Sequence, residues 1–335
     1  MRALVTGAGG FVGQWLCAEL LSDGWDVHGV ALTGAPAGGT LKDWQRDAVL
    51  WHDLDLRDPA EAAEAIALAR PDAVFHLAAV SYVPEAGMDP GAAWSTNVLA
   101  AVHVLDTIAM RRRAGEIDPV VLIVGSGEQY GPHAPAELPL SETASLEPRT
   151  VYAATKVAQE LAALASWRAT GTRVIATRPF NHSGPGQAQT FLLPALVQRV
   201  LDAHAEGDDT IRIGNPDSVR DYLHVQDVAR AYIYLAQRGT PGEVYNICSG
   251  AGTRVADLAQ LVIDEVARSR STRLDGGDGR SLRAVLDPAL MRAVDVPALV
   301  GSPAKLTAET TWTPNHTLEM LIEDLVYFTE YGETD

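Results

Sequence analysis

Cysteine is scarce in this 335-residue chain: Cys17 and Cys248 are its only two, each among apolar neighbours and far apart in sequence. That pattern predicts two buried thiols in a reducing compartment, and with no metal-binding spacing in the sequence no metal site is expected. No apolar run reaches the roughly 18 to 20 residues that a bilayer span requires, because charges or turn residues interrupt every one. The first residues, Met1 to Thr6, already read as a short strand and leave no room for a removable leader. A cytoplasmic protein with no membrane partner is therefore expected. Positive charge is also short: 26 Lys and Arg face 43 Asp and Glu, a formal net charge of −17. Such a surface repels a phosphate backbone, so nucleic acid is not an expected partner. An anionic nucleotide remains admissible, since a few arginines inside a cleft outweigh a diffuse field at short range.

What is present is a soluble composition, 47% hydrophobic and 21% charged, in a chain long enough for one large domain or two joined lobes. The first half alternates short β-branched or apolar runs with Ala/Leu-rich stretches of helical spacing. Strands are predicted at 2–6, 26–31, 48–52, 73–77, 119–125 and 173–178, and helices at 11–22, 58–69, 91–113 and 152–170. This is the pattern of an α/β, Rossmann-type doubly wound parallel sheet. After Pro179 the segments shorten and Pro and Gly punctuate them, which predicts a smaller interleaved lobe. Residues 1–178, with 218–247 returning to them, would form the first lobe; 179–217 and 248–335 would form the substrate lobe. Ligands in such sheets bind beyond the carboxyl ends of the strands, where Gly7, Ala78, Ser126 and Arg178 all fall.

Thr6-Gly7-Ala8-Gly9-Gly10-Phe11-Val12-Gly13 follows a strand and opens a helix, so the first helical amides can hold a pyrophosphate. Gly7 permits the tight turn, Gly10 lets backbone approach phosphate, and Gly13 lets the helix pack closely. A dinucleotide site usually carries an acid about 20 residues on, for the adenosine ribose, or a basic residue for a 2′-phosphate. Here the second strand ends Gly29-Val30-Ala31-Leu32-Thr33, with neither. The missing acid removes repulsion of a 2′-phosphate and favours NADP over NAD. Asp55 and Leu56, at the end of the third strand, are placed to meet the adenine, with Asp53 and Asp58 as alternatives.

Tyr152 and Lys156 stand four residues apart on a predicted helix and so share a face. An ammonium there would lower the phenol's pKa, letting it exchange a proton with a substrate oxygen near neutral pH. Ser126, ending the preceding strand, would hydrogen-bond the same oxygen. Such a pair occurs by chance on many helices; the order glycine motif, His76-Leu77-Ala78-Ala79, Asn97, Ser126, then Tyr152 with Lys156 is what gives it meaning. Over nearly its whole length the sequence resembles the extended short-chain dehydrogenase/reductases, in their NAD(P)-dependent nucleotide-sugar epimerase/dehydratase branch. The resemblance implies that Ser126, Tyr152 and Lys156 are catalytic. It also puts Gly7, Gly10, Phe11, Val12, Asp55, Leu56, Leu77, Ala78, Ala79, Asn97 and Pro179 with the cofactor, beside Tyr152 and Lys156. Ala100 departs from the family's usual glycine after the asparagine.

Arg178-Pro179-Phe180-Asn181-His182-Ser183-Gly184-Pro185-Gly186-Gln187 resembles the family segment that enters the substrate lobe. Ser81, Glu128, Asn181 and His182 would then face substrate. In Ser218-Val219-Arg220-Asp221-Tyr222-Leu223-His224, similar to the family's substrate clamp, Arg220 would grip a nucleotide diphosphate; Arg292 matches a second such arginine. The segment from Arg178 to Gln187 is most similar to reductases of GDP-4-keto-6-deoxymannose, and the tail from Val296 to Leu306 to those enzymes and to GDP-mannose 4,6-dehydratases. The resemblance thus implies a GDP-linked sugar and reduction at C4. Dehydration with Glu128 as base is the alternative, weakened by Gly127, where dehydratases usually carry a polar or acidic residue. A 4-epimerase, a decarboxylase, or a module that binds NAD(P) without turnover complete the alternatives. The helices at 91–113 and 152–170 carry broad apolar stripes, and in this family such a pair commonly forms a four-helix homodimer interface.

Overall fold

The computed structural model describes residues 1–273, 282–291 and 295–332. Its strands are β1 (Arg2–Thr6), β2 (Asp26–Ala31), β3 (Leu50–Asp53), β4 (Ala73–His76), β5 (Val120–Val124), β6 (Arg173–Pro179), β7 (Asn181–Ser183), β8 (Thr210–Ile213), β9 (Val219–His224), β10 (Val244–Ile247), β11 (Gly252–Arg254), β12 (Arg283–Leu286) and β13 (Ala298–Leu299). The helices used below are α1 (Phe11–Ser22), α2 (Asp43–Ala48), α3 (Pro59–Ala69), α4 (Val83–Met88), α5 (Pro90–Trp94), α6 (Ala100–Arg113), α7 (Val151–Thr170), α8 (Leu192–Glu206), α9 (Val225–Arg238) and α10 (Val255–Arg273). Seven strands form one parallel sheet in the order β3-β2-β1-β4-β5-β6-β10. The order reverses direction at β1, which opens a crevice between β1 and β4 at their carboxyl ends.

Both faces of this sheet are buried, which is why its strands read as nearly continuous apolar runs. Val5, Phe75, Leu122 and Ile175 face one side and pack in a core that includes Leu16 and Leu20 of α1 and Val228 and Tyr232 of α9. Their sequence neighbours Leu4, Val74, Val121 and Val174 face the other, against α3, α6 and α7. The second lobe has its own core around α8 and α10. There β9 pairs with β7, β11 and β13, while β12 pairs with β8. Within 218–247, β9 therefore lies in the smaller sheet, whereas α9 and β10 pack on or join the large one.

Two local differences from the sequence reading have physical causes. The strand predicted at 48–52 begins later, at Leu50, because α2 runs through Ala48. The helix predicted over 91–113 is interrupted: a π-helical turn at Ser95–Leu99 separates α5 from α6. Such a turn inserts an extra residue into the ladder and rotates the side chains around it. Asn97, on that turn, is fully buried.

Candidate active site

The carboxyl ends of the large sheet open onto a cavity of about 840 Å³ lined by both lobes. At one end it is bounded by the glycine turn. Gly7 has φ +69°, and a Cβ there would lie 2.9 Å from the Ala78 nitrogen; at Gly13 a Cβ would lie 2.2 Å from the Gly7 carbonyl oxygen. Gly10 caps α1 with no side chain on its amides, and Gly10, Phe11 and Val12 line the cavity. The first amides of a twelve-residue helix thus remain available to an anion. Thr6 ties the two strands flanking the crevice: its Oγ1 accepts from the Ala78 amide at 3.2 Å and lies 3.0 Å from His76 Nδ1. Leu77, Ala78 and Ala79 continue the wall.

Farther along, Leu32, Thr33, Asp55, Leu56 and Arg57 line the same cavity. The Arg57 guanidinium donates to both Asp55 carboxylate oxygens at 2.6 to 2.9 Å, holding that carboxyl below its ordinary value. This end of the cavity carries an acid already neutralised by its own arginine.

At the opposite end stand Ser126, Glu128, Tyr152 and Lys156, all on the cavity wall. Ser126 stands two residues beyond β5 and caps the short helical turn Gly127–Gln129; its amide donates to Gln129 Oε1 at 2.7 Å while its Oγ accepts from the Glu128 amide at 3.2 Å. The Gln129 amide donates to Glu160 at 2.9 Å, and Glu160 receives Arg178 through two bonds of 2.8 and 2.6 Å. Arg178 lies beneath the cavity, where it also donates to the Tyr130 hydroxyl and the Glu142 carbonyl. The buried network therefore fixes the strand end that presents Ser126.

Tyr152 shares a hydrogen bond with Ser126; burial pushes the phenol up to about 12, the Ser126 bond opposes this, and the Glu128 charge adds to it. Lys156 does not hydrogen-bond this phenol among the described residues. Lys156 turns its ammonium to the Val124 carbonyl at 2.8 Å and Gln159 Oε1 at 3.0 Å, and burial brings its own amine down to about 7. Tyr152 is accordingly held protonated, a proton donor more than a base at neutral pH.

The family model of GDP-mannose 4,6 dehydratase matches residues 4–325. The chain belongs to that family. It is 34% identical to the GDP-6-deoxy-D-mannose reductase of Pseudomonas aeruginosa, covering 97% of this chain and 96% of the relative. It is 30% identical to the UDP-glucose 4-epimerase of Corynebacterium glutamicum, covering 98% and 96%. Among solved structures, RMD from Pseudomonas aeruginosa complexed with NADPH superposes with a TM-score of 0.79 at 30% identity, covering 98% of each chain.

Within this family member the other expected residues fall into three groups. Ser81, Pro179, Asn181 and His182 line the cavity. His182 Nδ1 lies 2.9 Å from the Phe180 carbonyl and burial lowers its pKa, so the neutral ring donates from Nδ1 and leaves Nε2 as an acceptor. Asn181 Oδ1 is buried with no partner among the described residues. Two residues are not on the wall. Asn97, expected beside the cofactor, is used up behind it: its amide oxygen accepts from the Val80 amide, and its NH₂ donates to the Val80 carbonyl and Thr155 Oγ1. It braces the turn carrying Ala78 and Ala79 against α7. Arg220, expected at a diphosphate, is buried and donates to Asp295 at 2.6 Å and to the Val219 carbonyl. Arg292 lies outside the described residues.

Sequence reasoning missed Gln129, Gln159, Glu160 and Phe180. The helical spacing Tyr152, Lys156, Gln159, Glu160 was a signal, since all four lie on one face of α7. Nothing local marked Phe180, whose ring covers Gly127: a Cβ there would meet ring carbons at 3.1 to 3.3 Å.

Proposed function

We propose that the protein is an NAD(P)H-dependent reductase that converts the C4 keto group of a GDP-4-keto-6-deoxyhexose to the alcohol, giving a GDP-6-deoxyhexose such as GDP-rhamnose. The observation that carries this over dehydration is the packing of Phe180 on Gly127. A polar or acidic side chain at 127, as dehydratases usually have, would place its Cβ 3.1 to 3.3 Å from the Phe180 ring and require that ring to give way by a few tenths of an ångström. The reductase relative at 34% identity supports the same choice.

The turn at Gly7 and the open start of α1 fit a dinucleotide pyrophosphate, since a Cβ at either Gly7 or Gly13 would close the turn. When bound, the reduced nicotinamide supplies hydride to C4. Tyr152 then donates its phenolic proton to the C4 oxygen, and Ser126 Oγ hydrogen-bonds that oxygen as charge develops. Burial, with the Glu128 charge adding to it, favours the protonated phenol. Asn181 and His182 would offer a carbonyl oxygen and an acceptor nitrogen to sugar hydroxyls. NADP is the cofactor we favour, because Asp55, the acid on the cavity wall at the adenosine end among the described residues, is already paired with Arg57. Arg220 and Arg292 remain our choice for the diphosphate, with Arg220 having to exchange Asp295 for phosphate oxygens.

A second reading, dehydration with Glu128 as base, is kept alive by the place of Glu128 on the wall beside Ser126 and Tyr152. We further infer a homodimer through α6 and α7, which pack on each other and leave Met110 and Leu161 exposed; light scattering at low concentration would show a monomer if this is wrong. The function is tested by mixing protein and NADPH with GDP-4-keto-6-deoxymannose and following nicotinamide absorbance, with GDP-mannose and NADP in a parallel tube. Stoichiometric NADPH consumption is expected in the first. A keto-sugar formed in the second without net cofactor change would replace the reductase by a dehydratase.

A further inference from the structure

Lys156 is almost wholly buried, and both of its hydrogen-bond partners, the Val124 carbonyl and Gln159 Oε1, are uncharged. Gln159 is itself fully buried, one turn after Lys156 on the face of α7 turned to the sheet. Its orientation is dictated by chemistry. An ammonium only donates, so Gln159 must present its oxygen, and its NH₂ is then left buried with no acceptor among the described residues. A buried donor without a partner is unfavourable, and an apolar side chain of similar size would avoid it. The amide is worth keeping only for what its oxygen does.

We propose that Gln159 is a positioning residue: with the Val124 carbonyl it holds the Lys156 side chain in a cradle of neutral acceptors, and this neutrality sets the pH range over which the site works. The groups facing the lysine leave this role to Gln159. Tyr152, on the same helix, stays protonated at neutral pH. His76, on β4, is pushed down to about 3 by burial and by the Lys156 charge, so it stays neutral. Glu160, next to Gln159, is committed to Arg178 and Gln129. Glu128 acts on Tyr152. With burial alone bringing the Lys156 amine to about 7, a single charge placed at 159 decides whether it is protonated at neutrality.

The chain has three lysines, Lys42, Lys156 and Lys305. Protein labelled with ¹³C at lysine Cε therefore gives three resonances, and Lys42→Arg and Lys305→Arg assign the third to Lys156. Its midpoint is expected near 7 in the parent protein. Gln159→Glu should raise it by about one unit or more, and Gln159→Leu should lower it, because the first adds an attractive charge and the second removes an acceptor. The alkaline limb of kcat/KM for NADPH-dependent reduction should move the same way. An unchanged Lys156 midpoint in Gln159→Glu overturns the proposal; if that variant does not fold, an unchanged midpoint in Gln159→Leu and Gln159→Met does so. The kinetic arm rests on the reductase reading, whereas the resonance does not. Absence of turnover with the keto-sugar would count against that reading and leave the cradle to be decided by the titration.

Discussion

At one end of the cavity the wall is backbone: Gly7, Gly10 and the first turn of α1 offer amides, and a Cβ at Gly7 or Gly13 has no room. At the other end the wall is side chains held by other side chains. Ser126 rests on Gln129, Gln129 on Glu160, Glu160 on Arg178, and Lys156 on Gln159. The same pairing, an arginine doubly bonded to a carboxylate, occurs at both ends with opposite surroundings. Arg178 and Glu160 are 5% and 4% exposed; Arg57 and Asp55 are 46% and 32% exposed. The contrast fits two tasks. A cofactor anchored by phosphate tolerates a surface pair near its adenosine, whereas proton transfer needs donors fixed to fractions of an ångström.

The largest expected effect separates the two ends by chemistry. Tyr152→Phe removes the proposed proton donor and, on the reductase reading, should cut kcat for the keto-sugar by ~10²–10⁴, while NADPH affinity, measured by fluorescence titration, stays near the parent value. A variant that loses both together would mean that the ends are not independent. Next comes the buried pair. Arg178→Met leaves Glu160 buried without its cation and should destabilise the fold by about 3–5 kcal/mol in urea unfolding. A loss under about 1 kcal/mol would show that Gln129 and local relaxation satisfy Glu160, and that the network does not brace Ser126.

The same contrast explains what could be read from the sequence. The doubly wound sheet, the glycine turn and the helices at 11–22 and 152–170 were legible, because periodicity and forced glycines are local signals. Asn97 was recognised, but its burial behind the wall depends on a π-turn that composition does not encode. The bracing residues were not legible as such. Gln129 and Glu160 are 31 residues apart, Arg178 lies 18 beyond Glu160, and nothing in a glutamine announces which distant group it will meet. Arg220 taught the reverse: a motif identified the residue, but Asp295, 75 positions away, holds it off the cavity wall.

Two smaller effects sharpen the comparison from the backbone end. Gly13→Ala forces a methyl to 2.2 Å from the Gly7 carbonyl, backbone against backbone, and should destabilise by about 1–3 kcal/mol while weakening NADPH binding. Intact affinity with lowered stability would show that the turn shifts without losing its open amides.

The smallest effect belongs to the exposed pair. Asp55→Asn should change stability at neutral pH by no more than about 1 kcal/mol, the range for solvent-exposed ion pairs, against several for Arg178→Met. Arg57 lowers the Asp55 carboxyl in the folded chain, so its contribution is present above the unfolded carboxyl's pKa and disappears as pH falls through the folded one. The stability difference between parent and variant should therefore be flat from neutral pH down to about 4 and vanish below it. A difference as large as that of Arg178→Met, or one that grew in acid, would mean that the adenosine end is braced like the catalytic end and that the contrast between them is one of sequence only.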